Sequence, residues 1–452
     1  MVKSFKLFYF FILIIFVLSN CSFKNPGGFF EDRLKELEEE IAKKNSKLVF
    51  TESKKFTTEV PGLFEGKLKK PTSNLNWLEK NLTLNNHIPH LEYKDTKRLV
   101  YKSKKIGKNK FDILDSSFEP IIFENNIFLY DLSGNIYRFS LEEEKLLWKF
   151  NFYKKRYKNV PIKIKLKITN KNLIVSDNLG YLYSLGIDSG NLVWAKNYGV
   201  PFRSNIKTKD SNIFILNQDN KFYIVGEKDG ETLTSFDTFP SLLKSQQETN
   251  ISLDAVKNNI YFITSTGQLY SINYKTKNFN WLLNLSLTNT NKESGGKLFF
   301  SSPIISYDDK IFLSNSVSTF SIDSTNGFIN WELPFSTSVR PIVSENFLLL
   351  VSTDGFILNL DSKTGKVFWS KNLFQNNKKL KKKKIGSIQS ILLVSNKILA
   401  STSKGFFLFI DYKDGKILSY TKASGSGFFS APVLVDKKIY IVDKKMKILV
   451  FD

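Results

Sequence analysis

One turn recurs along most of the chain and limits what it can fold into. Its fullest copies are Asp361-Ser-Lys-Thr-Gly365-Lys-Val-Phe-Trp369 and Asp323-Ser-Thr-Asn-Gly327-Phe-Ile-Asn-Trp331, with a shorter one at Asp188-Ser-Gly190-Asn-Leu-Val-Trp194. Asn273 to Trp281 keeps the length without the glycine, and Asp411 to Gly415 keeps the turn with Tyr420 near the aromatic place. Glu227 to Gly230 keeps only the turn, and Trp148 ends the first copy. The aspartate side chain can cap such a turn, and glycine supplies the positive φ the reversal needs. Five of the six tryptophans (148, 194, 281, 331 and 369) fall at the aromatic place. With Thr234 and Ser419 as degenerate positions, successive places lie 38 to 50 residues apart. Between them run short apolar strands, the first of each set often beginning near a proline. A four-stranded unit at this period is a β-propeller blade, with the aromatic wedged between neighbouring sheets.

The chain ends fix the count. Seven units span about 112–422, and residues 427–452 supply only three strands, at 428–435, 439–442 and 448–451. A missing fourth strand would leave open edges where the ring must close. Leu99-Val100-Tyr101-Lys102 is similar to Leu192-Val193-Trp194, and Tyr101 lies 47 residues before Trp148, in phase with the rest. The expectation is an all-β, eight-bladed propeller in which residues 97–106 complete the last blade.

Ahead of the repeats the chain changes character. Lys3 and Lys6 precede an apolar run over 7–18, too short to span a bilayer, and Cys21 follows Leu18-Ser19-Asn20. This is the pattern of a secretory signal peptide over 1–20. The surroundings of Cys21 resemble a bacterial lipobox, which implies lipidation of Cys21 as the mature N-terminus, and Ser22 after it favours the outer membrane. Residues 21–75 read as a tether. Within it, residues 29–47 are expected to form an amphipathic helix with Phe30, Leu34, Leu37 and Ile41 on one face. Residues 48–96 lack periodicity and carry Pro61-Gly62, Pro71 and Pro89, so they read as a linker; the propeller unit is placed at 76–452.

Composition excludes several chemistries. A single cysteine permits no intrachain disulfide or thiolate cluster, and the two histidines, His87 and His90, both precede the repeats. There is no glycine-rich phosphate loop and no Ser-His-Asp spacing, so the chain is expected to catalyse nothing and to hold no cofactor or metal. The formal charge of +23 suits anionic partners. The run Lys378 to Lys384 motivates an alternative role as a general envelope scaffold binding anionic polymer or lipid. Nucleic acid is not an expected partner of a secreted chain.

The Asp-x-x-Thr-Gly-x-x-x-Trp turn resembles the repeats of the pyrroloquinoline-quinone-type propeller superfamily. A lipobox followed by such repeats, with the Asn76-Trp77 to His90 stretch ahead of them, resembles the BamB family of outer-membrane β-barrel assembly lipoproteins. The resemblance implies a non-catalytic scaffold on the periplasmic face of the outer membrane, one copy per complex. It would bind periplasmic domains of the barrel-inserting subunit through propeller loops and the membrane through its lipid anchor. It also implies contact residues: Phe202 and Arg203 after the strand ending in Trp194, and Glu248 before the fourth blade, where Asn250 departs from an acid-x-acid pair. A pyrroloquinoline-quinone-dependent dehydrogenase shares the fold and is the alternative; it typically needs an adjacent cysteine pair that this chain lacks.

Overall fold

In a computed structural model, residues 56–452 are described except for 112–117, 154–156, 240–246, 287–298 and 376–379. The signal peptide, Cys21 and the helix expected at 29–47 lie outside the described residues. Among the described residues, thirty-two strands form eight four-stranded antiparallel sheets. Seven are built from consecutive strands, the first from Ile121–Phe123, Asn126–Tyr130, Asn135–Ser140 and Lys145–Asn151. Blades one to seven thus cover 121–151, 164–197, 207–236, 252–284, 305–333, 342–372 and 388–422. Blade eight takes Val433–Val435, Lys438–Val442 and Ile448–Phe451 from the end of the chain, and Leu99–Lys102 from before the first blade. The expected closure is present. Leu99 pairs with Phe451, Tyr101 with Val450 and Lys102 with Leu449.

The middle strands read as continuous apolar runs because neighbouring blades cover both their faces. Phe347–Val351 (FLLLV) and Ile398, Leu399 and Ala400 of blade seven are buried throughout, whereas the outermost strand Lys145–Asn151 is largely exposed. Period-two alternation would mark a sheet wet on one side, so its absence is the sequence trace of blade stacking.

The wedge position is geometrically the same in all eight blades. Each outer strand carries one β-bulge, and the residue after the bulge pairs with the third strand: Trp148 with Arg138, Trp194 with Ser184, Thr234 with Ile224, Trp281 with Ser271. Trp331, Trp369, Ser419 and Tyr101 complete the set, so Ser419 holds the seventh place, not Tyr420. The bulge turns the strand locally and aims the wedge at the next blade. Trp148 Nε1 donates to Ile187 O (2.8 Å), Trp194 to Glu227 O (3.0 Å), Trp281 to Ser324 O (3.1 Å) and Trp331 to Ser362 O (3.2 Å), each acceptor lying in the following blade's turn.

Glycine therefore serves two purposes in these turns. Gly190 adopts φ +68°, and a Cβ there would sit 2.7 Å from the Trp148 ring; only hydrogen fits both demands. The same place, four residues before the wedge, is Lys277 in blade four, Lys97 in blade eight and Glu144 in blade one, all at positive φ. The wedges preceding those turns are Thr234, Ser419 and Tyr101. Glycine occurs in every turn that receives a tryptophan and is absent from every turn that does not. Asp188, expected to cap its turn, does not do so. The Gly186 carbonyl accepts the Gly190 N–H, as the Asp323 carbonyl accepts that of Gly327, and Asp188 instead pairs with Arg138 at 2.9 Å.

Residues 56–96 lie on the propeller. Val60 N–H reaches Ser370 Oγ (2.8 Å) at the outer edge of blade six, and Phe64 packs on Phe347 and Phe368. The missing periodicity has a structural cause. Residues 74–94 travel once around one end of the central channel and bond to the inner strand of each blade in turn. Asn74 donates to Leu434 O in blade eight (2.9 Å); Trp77 exchanges backbone bonds with Ile122 in blade one (2.7 and 2.9 Å). Leu78 O accepts from Ile168 in blade two and Thr83 O from Lys207 Nζ in blade three. Leu84 O and Asn85 O accept from Leu253 and Ser306 in blades four and five. His87 Nε2 donates to Val343 O in blade six (2.8 Å), Leu91 N–H to Leu393 O in blade seven, and Lys94 N–H to Lys437 O back in blade eight. This segment is a plug.

Candidate functional site

A cavity of about 550 Å³ lies in the central channel, with the plug residues Lys80, Asn81 and Ile88 among its lining and the starts of all eight inner strands around it. Lys163, Gln247 and Thr353 on its rim are exposed, whereas Asn81, Ile88 and Asn205 are buried. Its charged lining is five cations, Lys80, Lys163, Lys165, Arg203 and Arg340, against Glu119 and Glu248.

The carboxylates are both engaged. Glu119 accepts from Trp77 Nε1 (2.9 Å) and Asn81 N–H (2.8 Å), and burial pushes its carboxyl above the usual range, opposed by Lys80 and Arg340. Glu248 pairs with Lys80 at 2.7 Å. The arginines are held differently. Arg203 Nη2 donates to Ile263 O (2.7 Å), while its buried Nε–H has no acceptor among the described residues. Arg340 donates to Pro341 O (3.0 Å) and Ile391 O (3.1 Å). Burial pushes both guanidinium groups down to about 10. No described carboxylate stands within ion-pair distance of either.

Phe202, Arg203 and Glu248, implied as loop contacts for a partner, are brought together in this lining and are not on a protruding loop. Phe202 is 2% exposed, packed edge-on against Tyr198, and Arg203 is 5% exposed. Their burial follows from position: they lead into the inner strand of blade three, Lys207–Lys209, at the wall of the channel. Asn250 is buried too, its Oδ1 accepting from Asn81 Nδ2 at 3.2 Å. Of the lysine run, Leu380 is buried and Lys382–Ile385 form one helical turn, with Lys382 paired to Asp354; residues 378 and 379 lie outside the described residues. Sequence reasoning missed Glu119 and Arg340. Their signal is the shared step Glu119-Pro120-Ile121 and Arg340-Pro341-Ile342: the residue before the proline that opens an inner strand faces the channel.

Both histidines are plug residues and both are held neutral. Burial pushes His87 down to about 4, assisted by Arg340 and Lys69 and opposed by the bond to Val343 O and by Asp308. His90 is lowered by burial; its Nδ1 donates to Lys69 O (2.7 Å) and its Nε2 accepts the Asn396 N–H (2.8 Å), so protonation would remove that acceptor. The unfolded chain takes up protons near pH 6.5 while the folded chain resists them, so stability is complete above 6.5 and falls as the pH drops towards 4. For His87 the loss by pH 5 is about 2 kcal/mol. Melting at pH 7.5 and 5.0 checks this: His87→Gln, which keeps a donor for Val343 O, should narrow the difference, and an equal difference in the variant would refute the assignment.

These features define a class: an eight-bladed, tryptophan-wedged β-propeller, closed by an N-terminal strand and plugged at one end of its channel. A family model described as outer membrane protein assembly factor BamB matches residues 132–371, more than half of the chain. The chain belongs to that family. It is 22% identical over 321 residues to the outer membrane protein assembly factor BamB of Shewanella oneidensis, covering 58% of this chain and 77% of that one. The fold is similar to the crystal structure of BamB from Moraxella catarrhalis (TM-score 0.62, 13% identity, 79% of this chain and 100% of that chain). It is also similar to quinohemoprotein alcohol dehydrogenase from Comamonas testosteroni (TM-score 0.62, 10% identity, 83% and 80%). At these identities the structural likeness speaks for the fold alone.

Proposed function

We propose that this chain is a non-catalytic scaffold lipoprotein of outer-membrane protein assembly, binding periplasmic domains of the barrel-inserting subunit. The family match over residues 132–371 carries the reading. Acyl chains on Cys21 would anchor it to the outer membrane on the periplasmic side; among the described residues no helix is long and apolar enough to cross a membrane. A dehydrogenase would need free carboxylates in the funnel for calcium, and Glu119 and Glu248 are each taken up by neighbours. Oxidation of an alcohol by the chain that depends on added quinone and calcium would overturn the non-catalytic reading.

The outer strands support a binding role. At the bulge, blades seven, eight, one, two and three present Leu418, Val100, Leu147, Val193 and Leu233, all 36–53% exposed. Blades four and five place Asn280 and Asn330 there, and blade six places Phe368, which the chain's own Phe64 covers. Five consecutive blades thus expose an aliphatic at the place where blades four and five carry asparagine, and we take these outer strands as the binding face. Of the residues implied as contacts, Glu248 retains some surface, while Phe202 and Arg203 are buried, with the Arg203 carbonyl accepting the Thr249 N–H. Pull-down from membranes with mass spectrometry should recover the barrel-inserting subunit. The double variant Leu147→Glu/Val193→Glu should lower that recovery roughly tenfold, an effect of ~1.4 kcal/mol, at unchanged melting temperature. Full recovery with the variant would remove this face from the reading, and no recovery with the native chain would remove the partner.

A further inference from the structure

The funnel holds more positive charge than its own carboxylates answer. Arg203 and Arg340 are nine-tenths or more buried, line the cavity from blades three and six, and are met by backbone carbonyls alone. Glu119 acts on Arg340 only from beyond ion-pair distance; a buried guanidinium without an ion-pair partner is costly, and a buried N–H with no acceptor, such as Arg203 Nε, adds to that cost. Lys163 and Lys165, from blade two, add charge to the lining, and Lys165 Nζ donates to Phe202 O at 3.2 Å. The remaining wall is apolar, with Phe118, Ile88, Val339 and Ile391. At about 550 Å³ the cavity is within the range of small-molecule sites.

We propose that the plugged funnel is a binding site for an organic carboxylate with an apolar body, entering past Lys163 and received by Arg203 and Arg340. The planar guanidinium fork matches a carboxylate, and the apolar wall favours a weakly hydrated organic anion over inorganic phosphate. The acid can be a free small molecule or the C-terminal carboxylate of a polypeptide; the chemistry is shared. The site needs no calcium and no redox chemistry, and it lies away from the outer-strand face, so it stands or falls separately from the scaffold reading.

Calorimetric titration of the full-length chain, without calcium, uses three probes: adipate, an apolar tetrapeptide with a free C-terminal carboxylate, and the same tetrapeptide amidated. Binding of adipate identifies a free acid as sufficient, and binding of the free-carboxylate peptide alone identifies a chain terminus; either supports the site. The amidated peptide should bind at least tenfold more weakly. Arg340→Gln should weaken acid binding about tenfold. Lys163→Gln, an exposed rim change that leaves the packing intact, should weaken it severalfold and keeps the test valid if Arg340→Gln fails to fold. Lys149→Gln, on the outer strand of blade one, should leave it unchanged. The proposal is overturned if neither acid binds at millimolar concentration, if acid and amide bind alike, or if Lys163→Gln and Arg340→Gln both bind as the native chain does.

Discussion

Deleting residues 97–106 should lower the melting midpoint by roughly 5–10 °C and promote aggregation, because it opens the ring. The segment supplies the fourth strand of blade eight and the eighth wedge, Tyr101. Its role extends into the turn before it. In blade six Asp361 N–H bonds to Lys366 O, one residue beyond the positive-φ Gly365; in blade eight Asp452 N–H bonds to Arg98 O, one residue beyond Lys97 at φ 61°. Asp452 and Lys97 are thus the two halves of one blade turn, joined without a covalent connection between them. The clasp is reinforced by Lys94, which pairs with the Asp452 carboxylate at 2.9 Å, by Tyr93, whose hydroxyl donates to Asp452 O, and by Thr96. Losing about three ladder bonds at ~1 kcal/mol each and the partial burial of Tyr101 comes to about 5 kcal/mol, which sets the stated shift for a chain of this size. The edge of Ile448–Phe451 left behind would be a template for pairing between copies. Calorimetry with light scattering reads both effects. A cooperative transition at the native temperature would show that blade eight closes without this strand.

The closure was legible because it rests on local chemistry that repeats. An aromatic at a fixed phase and a turn before it can be seen at Tyr101 even when the rest of the blade is hundreds of residues away. The pairing of tryptophan with the next blade's glycine is equally written in the chain, since Lys277 and Lys97 stand where Thr234 and Ser419 precede them. It is visible only once the ring order says which turn receives which wedge. Asp188 misled because an aspartate two residues before a glycine looks like a cap, while the atom that accepts is the carbonyl of Gly186. The plug left no periodic trace, for its partners are mostly backbone groups of eight different blades, and a segment bonding to eight separate strands needs no period of its own. Arg203 reads as a loop contact because the family resemblance implies one at that step; its burial depends on where the inner strand starts, which no local pattern gives. The family resemblance supplied the scaffold reading, and the geometry moved the surface on which that reading can be tested.

Glu79→Ala should destabilise the protein by about 3–5 kcal/mol, the scale for removing one member of a buried ion pair. Glu79 is 3% exposed and stands 3.2 Å from Lys207 and 3.6 Å from Lys167, tying the plug to the inner strands of blades three and two. Lys207 is fully buried; burial pushes its ammonium down to about 8, against the pull of Glu79. Without Glu79 two cations remain side by side in the interior, with the Thr83 carbonyl, 2.6 Å from Lys207 Nζ, still accepting. The sign with pH is fixed by the direction of that shift. A lysine lowered in the folded state is penalised while protonated, so the penalty is full below its folded value and is relieved as the pH rises towards the unfolded value near 10.5. Glu79 holds that value up, so without it the ammonium is lowered further, and the alanine variant should recover stability relative to the native chain over the pH range just below about 8, while above it the two rise in parallel. Glu79→Leu combined with Lys207→Met should cost less than Glu79→Ala, because it leaves one buried cation, Lys167, where the single variant leaves two. Chemical denaturation across that pH range decides the matter. If Glu79→Ala lies within about 1 kcal/mol of the native chain and keeps the same pH profile, the ion pair does not hold the plug, and the backbone bonds to the eight blades must hold it alone.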